Sequence, residues 1–149
     1  MMQRDDVESK ELSITTPDAA LPGDLNMPRD PRGLVLFAHG SGSSRLSPRN
    51  RYVAAALNHG GLATLLFDLL TPEEHRLDQA TAELRFDIDL LSRRLGHAVD
   101  WVRQEPGLKH LSIGLFGAST GAAAALNVAA SRPEHIAAVV SRGGRPDLA

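Results

Sequence analysis

The chain has 149 residues, of which 42% are hydrophobic and 23% charged, with a formal net charge of −2. This is the make-up of one ordinary soluble globular domain, able to bury roughly 70% of its unfolded surface. The near-neutral charge removes the electrostatic ground for expecting nucleic acid or an acidic membrane as partner. The lack of cysteine removes disulfides, thiolate metal sites and a cysteine nucleophile.

Residues 1–9 are polar and read as a tail, with the domain spanning 10–149. The first ten residues hold no apolar core of a secretory signal. No apolar run approaches the roughly 20 residues needed to cross a bilayer, so the expected location is cytoplasmic. Residues 11–16 alternate Leu12 and Ile14 with polar neighbours, as a short strand does. Pro17, Pro22, Pro28 and Pro31, with Gly23 and Gly33, then predict turns around a second short strand.

Residues 34–38, Leu-Val-Leu-Phe-Ala, form a continuous apolar run of the kind covered on both faces. His39, Gly40, Ser41 and Gly42 follow as a loop at its C-terminal end. Ser47 and Pro48 then supply an N-cap and a first helical residue, and Gly60 with Gly61 stops that helix. Residues 62–67 are the next buried-type strand, ending at Asp68. The polar stretch 71–83 predicts a solvated loop. A helix over about 86–104 carries Ile88, Leu91, Leu95, Ala98 and Val102 at helical spacing and stops at Pro106 and Gly107.

Residues 111–116 form another apolar strand, followed by Gly117, Ala118, Ser119, Thr120 and Gly121 and an alanine-rich helix to Ser131. Residues 136–140 make one last strand before a loop over 142–146. Apolar strands alternating with helices predict βαβ units: a mainly parallel, doubly wound sheet with helices on both faces. Its ligands belong at the C-terminal strand edge, where both the His39 loop and Ser119 fall.

A serine hydroxyl is a weak nucleophile at neutral pH and needs a base, together with donors for the oxyanion of the tetrahedral intermediate. A G-x-S-x-G turn from strand to helix meets part of that need. Gly117 and Gly121 permit the sharp turn and close packing. The turn exposes the Ser119 hydroxyl and aims the Thr120 backbone N–H at the same point. The second donor expected is the N–H of Ser41. The alternatives are a glycine-flanked N-cap serine at 119 and an ordinary glycine turn at residues 39–41.

With these residues the chain resembles the α/β-hydrolase superfamily, nearest its dienelactone-hydrolase-like branch. The resemblance rests on residues 34–42 (LVLFAHGSG), 65–71 (LLFDLLT) and 117–121 (GASTG). It implies Ser119 as nucleophile, Ser41 and Thr120 amides as oxyanion hole, and His39 with Gly40 as organisers of the loop. It implies a small-molecule carboxylic ester or lactone as substrate, with no cofactor and no metal. Serine where such enzymes commonly carry cysteine favours ester hydrolysis over dienelactone itself.

The resemblance also implies an acid and then a histidine on loops after two further strands. No histidine follows His135, and His135 precedes its own strand. The expectation is therefore a C-terminally truncated sheet with its last two strands absent, inactive alone. The alternative is a non-catalytic binding module or decayed enzyme. His39 as base and Asp147 as acid are weaker candidates. His59, His75, His97 and His110 read as surface or partly packed, and Asp68 and Asp100 as strand-end and helix-surface carboxylates. A phosphate-binding loop at residues 39–44 lacks both G-x-x-x-x-G-K-[ST] and G-x-G-x-x-G.

Overall fold

The computed structural model describes residues 7–39, 44–143 and 146–149. Among these described residues six strands form one sheet: β1 Glu8–Thr15, β2 Ala20–Met27, β3 Leu34–Ala38, β4 Ala63–Phe67, β5 Ile113–Ala118 and β6 Ile136–Arg142. Four α-helices join them: α1 Pro48–His59, α2 Pro72–Thr81, α3 Ile88–Val102 and α4 Thr120–Ser131. The strand order is β1-β2-β4-β3-β5-β6. The β1–β2 and β2–β4 pairs are antiparallel, whereas β4, β3, β5 and β6 run parallel.

Side-chain alternation along β3 decides what each face buries. Leu34, Leu36 and Ala38 join the core beneath α3 and α4, with Leu65, Phe67, Leu115, Leu95 and Val99. Val35 and Phe37 face the other way, toward Ala54, Val53 and Leu57 of α1. There Phe37 stacks on Phe116 with ring centroids 4.9 Å apart. Apolar on both faces, β3 and β4 could only be central strands.

Three local readings differ from expectation. β1 begins at Glu8 rather than 11, because its polar residues pair along an exposed edge with β2, Glu8 opposite Met27. Of the expected tail, residues 1–6 lie outside the described residues. The stretch 71–83 contains helix α2. Thr71 accepts from the Glu74 N–H and Glu74 Oε1 accepts from the Thr71 N–H, a capping box with Pro72 at the first helical position. Among the α2 residues only Asp78 is buried, so α2 lacks the apolar stripe that betrays most helices. Lastly, β6 runs on to Arg142, a residue expected in a loop, and is an edge strand with Val140 53% exposed.

No helix among the described residues is long and apolar enough to cross a membrane.

Candidate active site

The strand order reverses at β3. The chain leaves β3 through α1 for β4 on one side, whereas β5 and β6 lie on the other. The crevice outside the C-terminal ends of β3 and β5 is thus the switch point where such sheets place ligands. Ala38 pairs with Gly117 across it, which sets His39 and Ser119 on neighbouring strand ends.

The turn from β5 into α4 is as sharp as the glycine spacing predicts. Ser119 takes φ 55° and ψ −126°, a backbone state that side-chain-bearing residues seldom occupy. Its hydroxyl makes no capping hydrogen bond to α4. Its N–H donates to the Arg142 carbonyl at 3.4 Å, and its carbonyl accepts from the Ala122 N–H at 3.1 Å. Both flanking glycines are sterically required. A β-carbon at 117 would lie 2.5 Å from Ala122 Cα, and one at 121 would overlap the Ala38 carbonyl. Thr120 is the first residue of α4, where helix geometry leaves its N–H without an intrahelical partner. Its side chain is buried, and Oγ1 has no hydrogen-bond partner among the described residues.

His39 turns toward β4, away from the elbow. The Leu69 N–H donates to its Nε2 at 3.3 Å, so Nε2 is an acceptor and the ring proton sits on Nδ1. A ring engaged this way organises the strand end, and Nε2 is not available to take a proton from Ser119. Gly40 and Ser41 lie outside the described residues. Ser119, Thr120, Gly117, Gly121 and His39 are therefore brought together.

The other histidines stand apart. His110 and His135 border β5 and β6 at their N-terminal edge, lining a polar cleft of about 440 Å³. His59 ends α1, His75 lies on α2, and His97 lies on α3 with its Nδ1 4.0 Å from Asp18. Asp147 falls in the turn Pro146–Leu148. A cavity of about 700 Å³ between β2 and α1, lined by Asp24, Asn26, Arg51, Tyr52 and Asn58, opens on the α1 side of the sheet.

Two neighbours of the site were not expected from sequence. Arg142 pairs with Ala118 beside the elbow, and its guanidinium lies 5.6 Å over the Phe116 ring and donates to Asn50 Oδ1 at 3.3 Å. Asp68 binds Arg45 through both carboxylate oxygens. Neither leaves a local sequence signal, because each contact joins segments far apart in the chain.

Comparison with known proteins agrees with this geometry. The sequence profile of a family described as BAAT / Acyl-CoA thioester hydrolase C terminal matches residues 95–146. A solved dienelactone hydrolase from Anabaena variabilis is 57% identical with a TM-score of 0.94, covering 96% of this chain and 66% of that one. An esterase of Pyrococcus furiosus is 25% identical with a TM-score of 0.72, covering 92% of this chain and 49% of that one. A protein of Mycobacterium tuberculosis provisionally named a phosphoribosyl transferase is 52% identical over 143 residues. That match takes in 96% of this chain and 31% of the relative, so the name describes a much longer protein. The β5–elbow–α4 turn, the strand order and these likenesses agree: the chain belongs to the α/β-hydrolase superfamily, in its dienelactone-hydrolase-like branch.

Proposed function

We propose that this chain is the nucleophile-bearing part of a serine hydrolase acting on a small carboxylic ester or lactone. The observation that carries the reading is the Ser119 backbone at φ 55° and ψ −126°. Non-glycine residues in such states are held by their surroundings and cluster at active sites. A mere N-cap serine would take an ordinary extended backbone and bond its hydroxyl to the helix, and Ser119 does neither.

In this reading Ser119 Oγ attacks the acyl carbon while a base accepts its proton. The tetrahedral oxyanion is held by the N–H groups of Thr120 and Ser41. Collapse expels the alcohol, which takes the proton back from the base, and water then releases the acid from acyl-Ser119. The base and acid come from outside these 149 residues. His39 is engaged with Leu69, and His110 and His135 border the opposite strand edge.

The test is labelling of the protein made from its native gene with a fluorophosphonate probe, followed by peptide mapping and an intact mass. Labelling at Ser119, lost in Ser119→Ala, is the expected result. A protein that folds and binds small acyl compounds yet leaves the probe untouched would establish the non-catalytic module instead.

A further inference from the structure

The backbone state of Ser119, φ 55° and ψ −126°, lasts only where its neighbours fix it. Its carbonyl is fixed locally, accepting from the Ala122 N–H of its own helix at 3.1 Å. Its N–H is fixed from a different strand, donating to the Arg142 carbonyl at 3.4 Å. That bond is already long, so a small shift of residue 142 breaks it. Arg142 is the last residue of β6 and pairs with Ala118, the residue before Ser119.

The Arg142 side chain ties that strand end down. It crosses β5 on the α1 face of the sheet, with its guanidinium 5.6 Å over the Phe116 ring. Phe116 in turn stacks on Phe37 of β3, in the cluster that α1 covers. Nη2 reaches on to α1 itself and donates to Asn50 Oδ1 at 3.3 Å. Asn50 is 3% exposed and its N–H donates to Ser47 Oγ, so the acceptor stands on a fixed helix start. The residues just before Arg142 have no such hold, and Ser141 and Val140 are both exposed.

We propose that Arg142 is a positioning residue for the nucleophile: braced on Phe116 and Asn50, it holds the carbonyl that fixes the strained Ser119 turn. The inference rests on the reading of Ser119 as nucleophile. A planar guanidinium suits both contacts, laying its face near the ring while an N–H at its edge reaches the amide oxygen. The strut joins β6 to α1 across β5, so the elbow is held between two elements rather than by its own helix alone. A nucleophile misplaced by about 1 Å can lose about 100-fold in rate. Because Arg142 acts through its carbonyl and the Ser119 N–H, its loss weighs equally on neutral and anionic substrates.

The experiment uses the protein from its native gene and compares Arg142→Leu with Asn50→Ala, which removes the acceptor and leaves the arginine. Two substrates are used, p-nitrophenyl butyrate and a p-nitrophenyl ester of a dicarboxylic acid. The expected result in both variants is a fall in kcat of about 10- to 100-fold on either ester, with KM changed less than about twofold. Amide hydrogen exchange at Ser119, read by NMR against the amides in the middle of β5, should quicken at least about tenfold. Asp100→Asn is the control, since it loosens the Asp100–Arg132 pair at the other end of α4. It should lower thermal stability and leave kcat and the relative exchange of Ser119 alone. A loss confined to KM on the anionic ester would make Arg142 a substrate contact and overturn the proposal. An unchanged kcat, an unchanged Ser119 exchange, or an equal kcat loss in Asp100→Asn also overturns it, while the Ser119 reading stands. A wild-type protein that the fluorophosphonate probe does not label at Ser119 overturns both.

Discussion

Gly121 rests against Ala38 so closely that its Cα has no room for a β-carbon. A methyl group there would overlap the Ala38 carbonyl and lie 2.6 Å from the His39 carbonyl oxygen. The start of α4 is thus seated directly on the end of β3, and this contact sets the distance between the elbow and the backbone of His39. Gly121→Ala should destabilise the fold by about 1–3 kcal/mol, as overpacking does, and should slow labelling of Ser119 at least tenfold. Denaturant unfolding and the probe reaction measure the two effects separately.

The strain at Ser119 predicts opposite signs for stability and reactivity. Its positive φ costs about 1–3 kcal/mol in a residue with a β-carbon and little in glycine. Ser119→Gly should therefore stabilise the protein by about 1 kcal/mol after glycine's own entropic penalty, and abolish labelling. Ser119→Ala should abolish labelling without that gain. Thermal melts of the two variants check it, and equal melting temperatures would remove the strain argument.

Arg94 on α3 is buried, and it binds Glu74 at 2.7 and 2.8 Å, Asp18 at 3.2 Å and the Leu69 carbonyl at 3.0 Å. It ties the polar helix α2 and the β1–β2 turn to the core. Arg94→Met should cost about 3 kcal/mol, the low end for breaking a buried pair, because Glu74 keeps some access to water. Proteolysis within residues 72–86 should also become faster, since little apolar burial remains to hold that segment.

The same pair predicts a pH dependence. The hydrogen bonds from Arg94 hold the Glu74 carboxyl below the usual glutamate range. A carboxyl whose value is lower folded than unfolded contributes its full stabilisation above the unfolded value of about 4.3 and loses it as pH falls toward the folded one. Wild-type stability should decline on acidification through that window, and Arg94→Met should decline less there. Unfolding free energies from about pH 6 to pH 3 provide the comparison. Asp100, held low by the guanidinium of Arg132, adds a dependence of the same sign.

The elbow and the central strands were legible because their signals are local. A strand covered on both faces must be apolar throughout, as Leu34–Ala38 and Ala63–Phe67 are. A turn that admits no β-carbon must carry glycine, as at 117 and 121. The cap at Ser47 and Pro48 likewise marked the start of α1 correctly. Helix α2 was missed because burial, the usual signal, is absent from it. The Thr71–Glu74 capping box was its only mark, within a stretch whose polarity suggested a loop.

By itself, then, the amino-acid order determined which segments are buried, where the chain must turn sharply and which hydroxyl sits on that turn. Those properties depend on residue type and on neighbours a few positions away. Only the tertiary structure decided that His39 faces Leu69 rather than Ser119, and that Asp68 holds Arg45. It alone set Arg142 beside the elbow and made Arg94 the anchor of α2. Charged and polar side chains choose partners by distance and direction across elements, 23 residues apart for Asp68 and Arg45 and 76 for Arg94 and Asp18. No pattern of spacing along the chain encodes such a choice.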